Sequence, residues 1–276
     1  MMPDEISPSK PKTVLNATLL VFWIIFMVGL YYLSTWTGIG NRPGLIRTFH
    51  RGVARLFNLE IEYQGDLLAD RPTLYLCNHV SYIDVFVLGS ILPGSFIAKS
   101  EVAGWPVFGK LATYQNTLFF ERKARRAAQQ VEIMRQHLSE KSNLILFPEG
   151  TSTPGTHVEP FRSSLLAAAE ADDVPLQPVT VAYTHYDGHR MDQDERDYYA
   201  WYIPMPFLSH FLDGLGLRRA RAKVIFHEPV RVADFESRKA CARHCEEAVR
   251  SGLLDAIGEE KEIRLEKYLE AVGQTV

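Results

Sequence analysis

Twenty-three consecutive residues, Val14 to Trp36, hold no charged side chain, in a chain of which 23% is charged. As a helix the run is about 34 Å long, enough for a hydrocarbon layer of about 30 Å. Such a stretch fits a membrane-spanning helix, a signal peptide or a helix buried in a core. It is too long for the apolar part of an ordinary signal peptide, and no A-x-A-like cleavage site follows. Tyr31, Tyr32 and Trp36 at its end suit a membrane interface. The expectation is a transmembrane helix over 14–36 behind a disordered N-terminus, 1–13, with three prolines. Basic residues are sparse before the run (Lys10, Lys12) and denser after it (Arg42, Arg47, Arg51, Arg55). That asymmetry predicts a single-pass protein of the cytoplasmic membrane whose body faces the cytoplasm.

Arg47, Arg51 and Arg55 recur every fourth residue and form one helical stripe, with Ile46, Phe49, Val53, Leu56 and Phe57 on roughly the opposite face. A basic amphipathic juxtamembrane helix over 42–58 either lies along lipid headgroups or packs its apolar face on the domain beyond. The aromatic-rich stretch Tyr198–Leu208 has similar alternatives: lipid contact, an acyl tunnel or core packing.

From 59 to 276 short apolar runs alternate with helical patterns. Strands are expected at Thr73–Cys77, Ser95–Ala98, Thr117–Phe120, Asn143–Phe147, Leu176–Tyr183 and Ala222–Phe226. Helices are expected from Tyr82, over Glu101–Tyr114, Arg125–Leu138 and Phe161–Ala171, and from Ser237 to about Val272. This is the pattern of an α/β domain with a mainly parallel sheet covered by helices. The net charge of -3 gives no sign of nucleic-acid binding. Three cysteines, Cys77, Cys241 and Cys245, argue against a disulfide framework. Cys241, His244 and Cys245 lack a fourth metal ligand, and the turn signal Asp187-Gly188 breaks the helix that His185 and His189 would need. No metal site is expected.

The segment Asn78-His79-Val80-Ser81-Tyr82-Ile83-Asp84 follows a buried strand and carries the chemistry. Neutral imidazole can take a proton near physiological pH, and a carboxylate can fix its tautomer and stabilise the imidazolium. On one continuous helix, residues five apart point about 140° away from each other. Ser81-x-x-Asp84 resembles a capping box, which would start a helix at this point, leave His79 in the preceding turn and let Asp84 lean back towards it. The plainer alternative is that Asp84 only caps the helix. No serine or cysteine nucleophile is coupled to the pair, so the substrate is expected to supply the nucleophile.

Phe147-Pro148-Glu149-Gly150-Thr151-Ser152 follows another buried strand, at the sheet end where α/β folds bind ligands. Gly150-Thr151-Ser152-Thr153-Pro154 lacks the second glycine of a serine-hydrolase elbow. Phe119–Arg126 ends a strand in a basic cluster, in which Arg122 is best placed for an anionic head group.

Taken in order behind a membrane anchor, these segments resemble the 1-acylglycerol-3-phosphate acyltransferase family, the lysophospholipid acyltransferases. His79 and Asp84 match the family's His-x4-Asp block, Asn116–Arg122 its second, Phe147–Thr151 its third and Val174–Val179 its fourth. The resemblance implies transfer of a fatty acyl group from acyl carrier protein or acyl-CoA to a lysolipid hydroxyl. His79 would be the base and Asp84 its orienter, with Arg122, Glu149, Gly150, Thr151 and Arg162 at the acceptor. No cofactor or metal is implied; the thioester is a co-substrate, and the lipid bilayer is the surrounding partner. Ser152 stands where the family usually has arginine, and Asn116 where it usually has glycine. The expected acceptor is 1-acyl-sn-glycerol-3-phosphate, giving phosphatidate. Ala98–Pro106, Glu149–Ser152 and Ala200–Tyr202 also look similar to the branch that acylates lyso-ornithine lipid, the alternative acceptor. A non-catalytic membrane-surface lipid-binding module and a lipid hydrolase are the readings outside the class.

Overall fold

A computed structural model describes residues 7–121, 124–140, 142–203 and 205–258. Eight described strands form one sheet: β1 (Leu59–Gln64), β2 (Leu74–Cys77), β3 (Ser95–Lys99), β4 (Leu118–Phe120), β5 (Leu144–Leu146), β6 (Leu176–Tyr186), β7 (His189–Arg190) and β8 (Ala220–Phe226). The order is β1-β8-β6-β2-β5-β3-β4, with β7 folded back on β6. Among the described residues, only β6 with β8 and β6 with β7 are antiparallel pairs. The sheet is therefore mainly parallel, as the sequence pattern requires.

Strand side chains alternate between two cores. On β2, Tyr75 and Cys77 join one core and Leu74 and Leu76 the other, all four fully buried. A strand covered on both faces reads as a continuous apolar run, which is why β2 and β5 were legible. The first core is closed by α1 (Lys10–Thr37), α2 (Arg42–Leu56), α3 (Ile83–Gly89) and α8 (Phe207–Gly216). The second is closed by α5 (Ala127–Ser139), α6 (Ala167–Glu170) and α9 (Arg238–Ile257). Two short helices, α4 (Phe108–Tyr114) and α7 (Gln193–Asp197), complete the set.

Several expectations change. The helix expected over Glu101–Tyr114 is a 3-10 turn, Ser100–Gly104, then a break at Pro106-Val107, then α4. Proline lacks the N–H a continuous helix needs there. The Phe161–Ala171 helix is a 3-10 segment followed by one turn of α6. β1 was not expected, although Leu59, Ile61 and Tyr63 alternate with Glu60, Glu62 and Gln64, a period-2 signal. The Asp187-Gly188 turn forms as its residues dictate, with φ of 48° and 94°, and joins β6 to β7. The helix from Ser237 ends at Ile257, and its expected continuation lies outside the described residues.

α1 begins at Lys10, inside the segment expected to be disordered; residues 1–6 lie outside the described ones. By length and composition it can cross a membrane. One face is nevertheless docked on the domain through polar anchors. Lys12 Nζ donates to the Leu217 carbonyl, Asn16 Nδ2 to those of Leu56 and Leu215, and Trp23 Nε1 to that of Phe49. A Cβ on Gly52 would lie 2.3 Å from the Trp23 ring, so glycine lets α2 approach α1 there. The other face exposes Phe22, Ile25, Phe26 and Leu33. The apolar face of α2 is taken up by the domain: Val53, Ala54 and the following Phe57 are buried, and Arg51 and Arg55 face out. Packing, rather than the headgroup plane, claims that face.

Candidate active site

β2 and β5 run parallel in a register that pairs Tyr75 with Ile145 and Leu76 with Leu146. Carried past the strand ends, the same register sets His79 opposite Glu149. The two do meet: the His79 backbone N–H donates to Glu149 Oε1 at 2.6 Å. Period 2 also puts Cys77, His79 and Phe147 on one face, and the Phe147 ring stacks on His79 with centroids 4.0 Å apart.

The capping segment then folds Asp84 back. α3 starts at Ile83, later than the sequence suggested, but Asp84 still receives the Ser81 N–H at 2.9 Å. The same oxygen, Oδ2, takes the Val80 N–H at 2.7 Å and His79 Nδ1 at 2.9 Å. Asp84 is fully buried, whereas the His79 side chain keeps 24% of its surface exposed. An ionised carboxylate only accepts, so Nδ1 carries the proton and Nε2 holds the lone pair of a base. One oxygen of Asp84 thus caps the turn and contacts the His79 ring.

Three residues that the sequence reading did not single out fix this arrangement. Asn78 bonds both the N–H and the C=O of Val181, tying the end of β2 to β6. Thr153 donates its N–H to the His79 carbonyl at 2.9 Å. Tyr183, on β6 and facing the same core, donates its hydroxyl to Asp84 Oδ1 at 2.9 Å. The readable hint was Asn78, a polar residue at the end of an apolar strand. Tyr183 is brought in by strand pairing from about 100 residues away.

Glu149, expected at the acceptor, is a buried carboxyl. Its second oxygen accepts the Glu159 N–H at 2.8 Å, so both oxygens hold backbone. Burial raises its pKa to about 8, against the opposing pull of those two N–H groups. It is a strut between the two strand-end loops. Gly150 has φ of 72°, and a Cβ there would lie 2.7 Å from Arg162 Cζ, so the Arg162 guanidinium lies directly over this turn. Thr151 is exposed beside it. Ser152 donates its hydroxyl to the Trp201 carbonyl at 2.6 Å. Arg122 lies outside the described residues.

An apolar pocket lies between α1, α2, α3 and α4, and its walls include Met27, Phe49, Tyr82, Phe86, Phe96 and Phe108. Phe96 stacks on Phe147 at 6.2 Å, and Phe147 on His79, so the pocket wall continues into the site.

A family model for the acyltransferases matches residues 58–182. The lyso-ornithine lipid O-acyltransferase of Brucella abortus is 38% identical over 226 residues, covering 79% of this chain and 85% of that protein. This chain belongs to the acyltransferase family. A lyso-ornithine lipid O-acyltransferase of Rhodobacter capsulatus is 40% identical over 183 residues, 64% of each chain. A 1-acyl-sn-glycerol-3-phosphate acyltransferase of Neisseria meningitidis is 27% identical over 208 residues, 74% of this chain and 79% of that one. The crystal structure of the 1-acyl-sn-glycerophosphate acyltransferase PlsC from Thermotoga maritima shares the fold, with a TM-score of 0.63 at 21% identity over 90% of this chain and 95% of that one. The enzyme is an acyltransferase, and the residues that the family model matches include His79, Asp84 and Glu149.

Proposed function

We propose that this enzyme moves a fatty acyl group from the thioester of acyl carrier protein or coenzyme A to the free hydroxyl of a lysolipid, and that the acceptor is lyso-ornithine lipid. His79 Nε2 takes the hydroxyl proton as the acceptor oxygen attacks the thioester carbonyl. Asp84 stabilises the imidazolium. The tetrahedral intermediate collapses, the C–S bond breaks, and the sulfur leaves with the proton returned from His79. No acyl-enzyme forms, and no metal or cofactor takes part. The fatty chain lies in the apolar pocket, whose wall reaches the His79–Phe147 stack.

The observation that carries the choice of acceptor is Ser152. A phosphate monoester bears nearly two negative charges and is best met by several cations. At the position where arginine is usual, this chain has a serine whose hydroxyl bonds the Trp201 carbonyl. The Arg162 guanidinium over Gly150 suits the carboxylate of a zwitterionic ornithine head group. The relatives named for lyso-ornithine lipid are also more similar than those named for 1-acyl-sn-glycerol-3-phosphate. Arg122, two residues after β4 in the sequence, is a further acceptor ligand in this reading. The intact His79–Asp84 pair argues against a non-catalytic lipid-binding module.

The body faces the cytoplasm, where the thioester donors are. The docked face of α1 favours insertion of its outer face into the near leaflet over a free-standing span. The test offers the purified enzyme both donors with a panel of lysolipids and identifies the products by mass. Acylation of 1-acyl-sn-glycerol-3-phosphate in preference to lyso-ornithine lipid would reverse the choice of acceptor, and release of free fatty acid without ester formation would make the enzyme a hydrolase.

A further inference from the structure

Large exposed apolar side chains among the described residues fall in two groups. Eleven belong to the N-terminal stretch from Val14 to Ile39; the others are Tyr63, Val107, Tyr202, Ile203 and Leu208. Single exposed apolar residues are ordinary on a soluble surface, but four of these five are not scattered. Val107 stands two residues after Trp105, Tyr202 and Ile203 follow Trp201, and Leu208 follows Phe207. The rings of Trp105, Trp201 and Phe207 meet one another at 4.5 to 6.0 Å. Three separate segments thus converge on one aromatic cluster and turn their adjoining apolar residues outward.

Val107 is held there against its own preference. Its φ of 64° and ψ of -58°, with the Phe108 N–H bonded to the Pro106 carbonyl at 2.7 Å, describe a γ-turn of the rare, strained kind. Positive φ at a β-branched residue is an outlier, and the turn leaves Val107 55% exposed. In water alone nothing rewards an exposed valine at such a position.

The cluster adjoins the apolar face of α1. α8 runs antiparallel to α1: Lys12 and Asn16, early in α1, bond the carbonyls of Leu217 and Leu215 at the end of α8. Phe207, at its start, shares the walls of the apolar pocket with Met27 and Tyr31 of α1 and with Trp105. Leu208 and Val107 therefore adjoin residues that share the pocket wall with α1.

We infer that Val107, Ile203 and Leu208 form a second lipid-contact lip, which enters the hydrocarbon of the bilayer beside α1, so that the pocket opens into lipid between two membrane-seated edges. This rests on the reading of the enzyme as a lysolipid acyltransferase. A lysolipid then reaches the pocket without its chain crossing water, whereas a domain hung below the membrane on α1 alone would have to lift that chain through the headgroups.

The test uses the full chain on vesicles of phosphatidylcholine and phosphatidylglycerol. The three native cysteines are buried, so a bimane label on a Val107→Cys variant reports that site alone. On vesicle-bound protein its emission should be quenched by bromine on the upper acyl carbons and shielded from aqueous iodide. Quenching by iodide and not by bromolipid would overturn the lip, with or without turnover, which separates its failure from failure of the acyltransfer reading. A Val107→Asp, Leu208→Glu variant is the second arm. Aspartate tolerates positive φ better than valine, and glutamate in the first turn of α8 suits the helix dipole, so folding is spared. Turnover of vesicle-embedded lysolipid should fall roughly tenfold or more, with turnover of a short-chain, monomeric acceptor unchanged. Wild-type turnover on vesicles would sink the proposal, as would self-association through the patch in place of lipid contact.

Discussion

The Tyr183 hydroxyl donates to Asp84 Oδ1, the oxygen opposite the one that orients His79. Burial raises the Tyr183 pKa well above that of free tyrosine, and Asp84 adds to the rise, so the hydroxyl stays a donor at any working pH. Tyr183→Phe would leave a buried carboxylate oxygen one donor short. Less of the Asp84 charge would be compensated, and more of it would act on the imidazolium. The acid limb of kcat/KM should move to higher pH, and kcat should fall roughly tenfold, the worth of one hydrogen bond to a charged group. A uniform loss of activity with an unmoved pH profile would mean that Tyr183 serves only packing.

His79→Ala should lower kcat by roughly 10²–10⁴-fold with the fold retained, since that is the usual worth of a positioned base. Asp84→Asn should lose most activity too. An asparagine amide turned towards Nδ1 would force the other tautomer and take away the lone pair at Nε2. Near-normal turnover by a folded His79→Ala protein, measured by product mass, would end the base assignment.

Glu149 predicts a pH dependence of stability. Its folded pKa of about 8 lies above the ordinary 4.5, so between those values the folded protein holds a proton the unfolded chain has lost. The Glu149 contribution to unfolding free energy therefore falls as pH rises from about 4.5 to about 8 and levels off above. Glu149→Gln should remove that slope in denaturant titrations. Its amide can accept from only one side, so either the His79 or the Glu159 N–H loses its partner, and kcat should drop as His79 shifts. A slope that survives the substitution would assign it to another group.

How much of this site the sequence disclosed depends on where each partner lies along the chain. His79, Asp84 and the Glu149 turn were legible because buried strands of a parallel sheet are unbroken apolar runs, and ligand-binding loops follow their ends. The strut role of Glu149 was not, because it depends on the offset between β2 and β5, which no local pattern encodes. Tyr183 is hidden for the same reason, one strand further across. Pro106, six residues into the expected Glu101–Tyr114 helix, was itself the sign of a break, whereas the γ-turn at Val107 is left to tertiary contact.

The docking of α1 makes it part of the domain as well as a membrane anchor. Asn16 satisfies two buried carbonyls at once, those of Leu56 and Leu215. Asn16→Leu should lower domain stability by about 1–3 kcal/mol through unpaired buried acceptors, seen as a lower midpoint in chemical unfolding in detergent. Removal of residues 1–40 should uncover the α2 and α8 faces and the pocket wall, and so cost activity on detergent-dispersed substrate as well as membrane retention. Full soluble activity after truncation would restore the view of α1 as a bare tether.

The last prediction concerns the acceptor. Arg162 lies over Gly150, and Ser152, two residues on, bonds the Trp201 carbonyl and brings no charge. Arg162→Ala should raise the acceptor KM more than the donor KM. Arg162→Lys should restore it only in part, because an ammonium cannot hold a carboxylate or phosphate bidentately. Ser152→Arg would break the tie to Trp201 and add a second cation beside the first. If the native head group carries one negative charge, that change should shift the ratio of kcat/KM towards 1-acyl-sn-glycerol-3-phosphate by roughly tenfold, the scale of one charge-assisted pair. If the native enzyme already prefers the phosphate acceptor and Arg162→Ala abolishes the preference, Arg162 itself supplies the second charge alongside Arg122, and the ornithine acceptor is excluded.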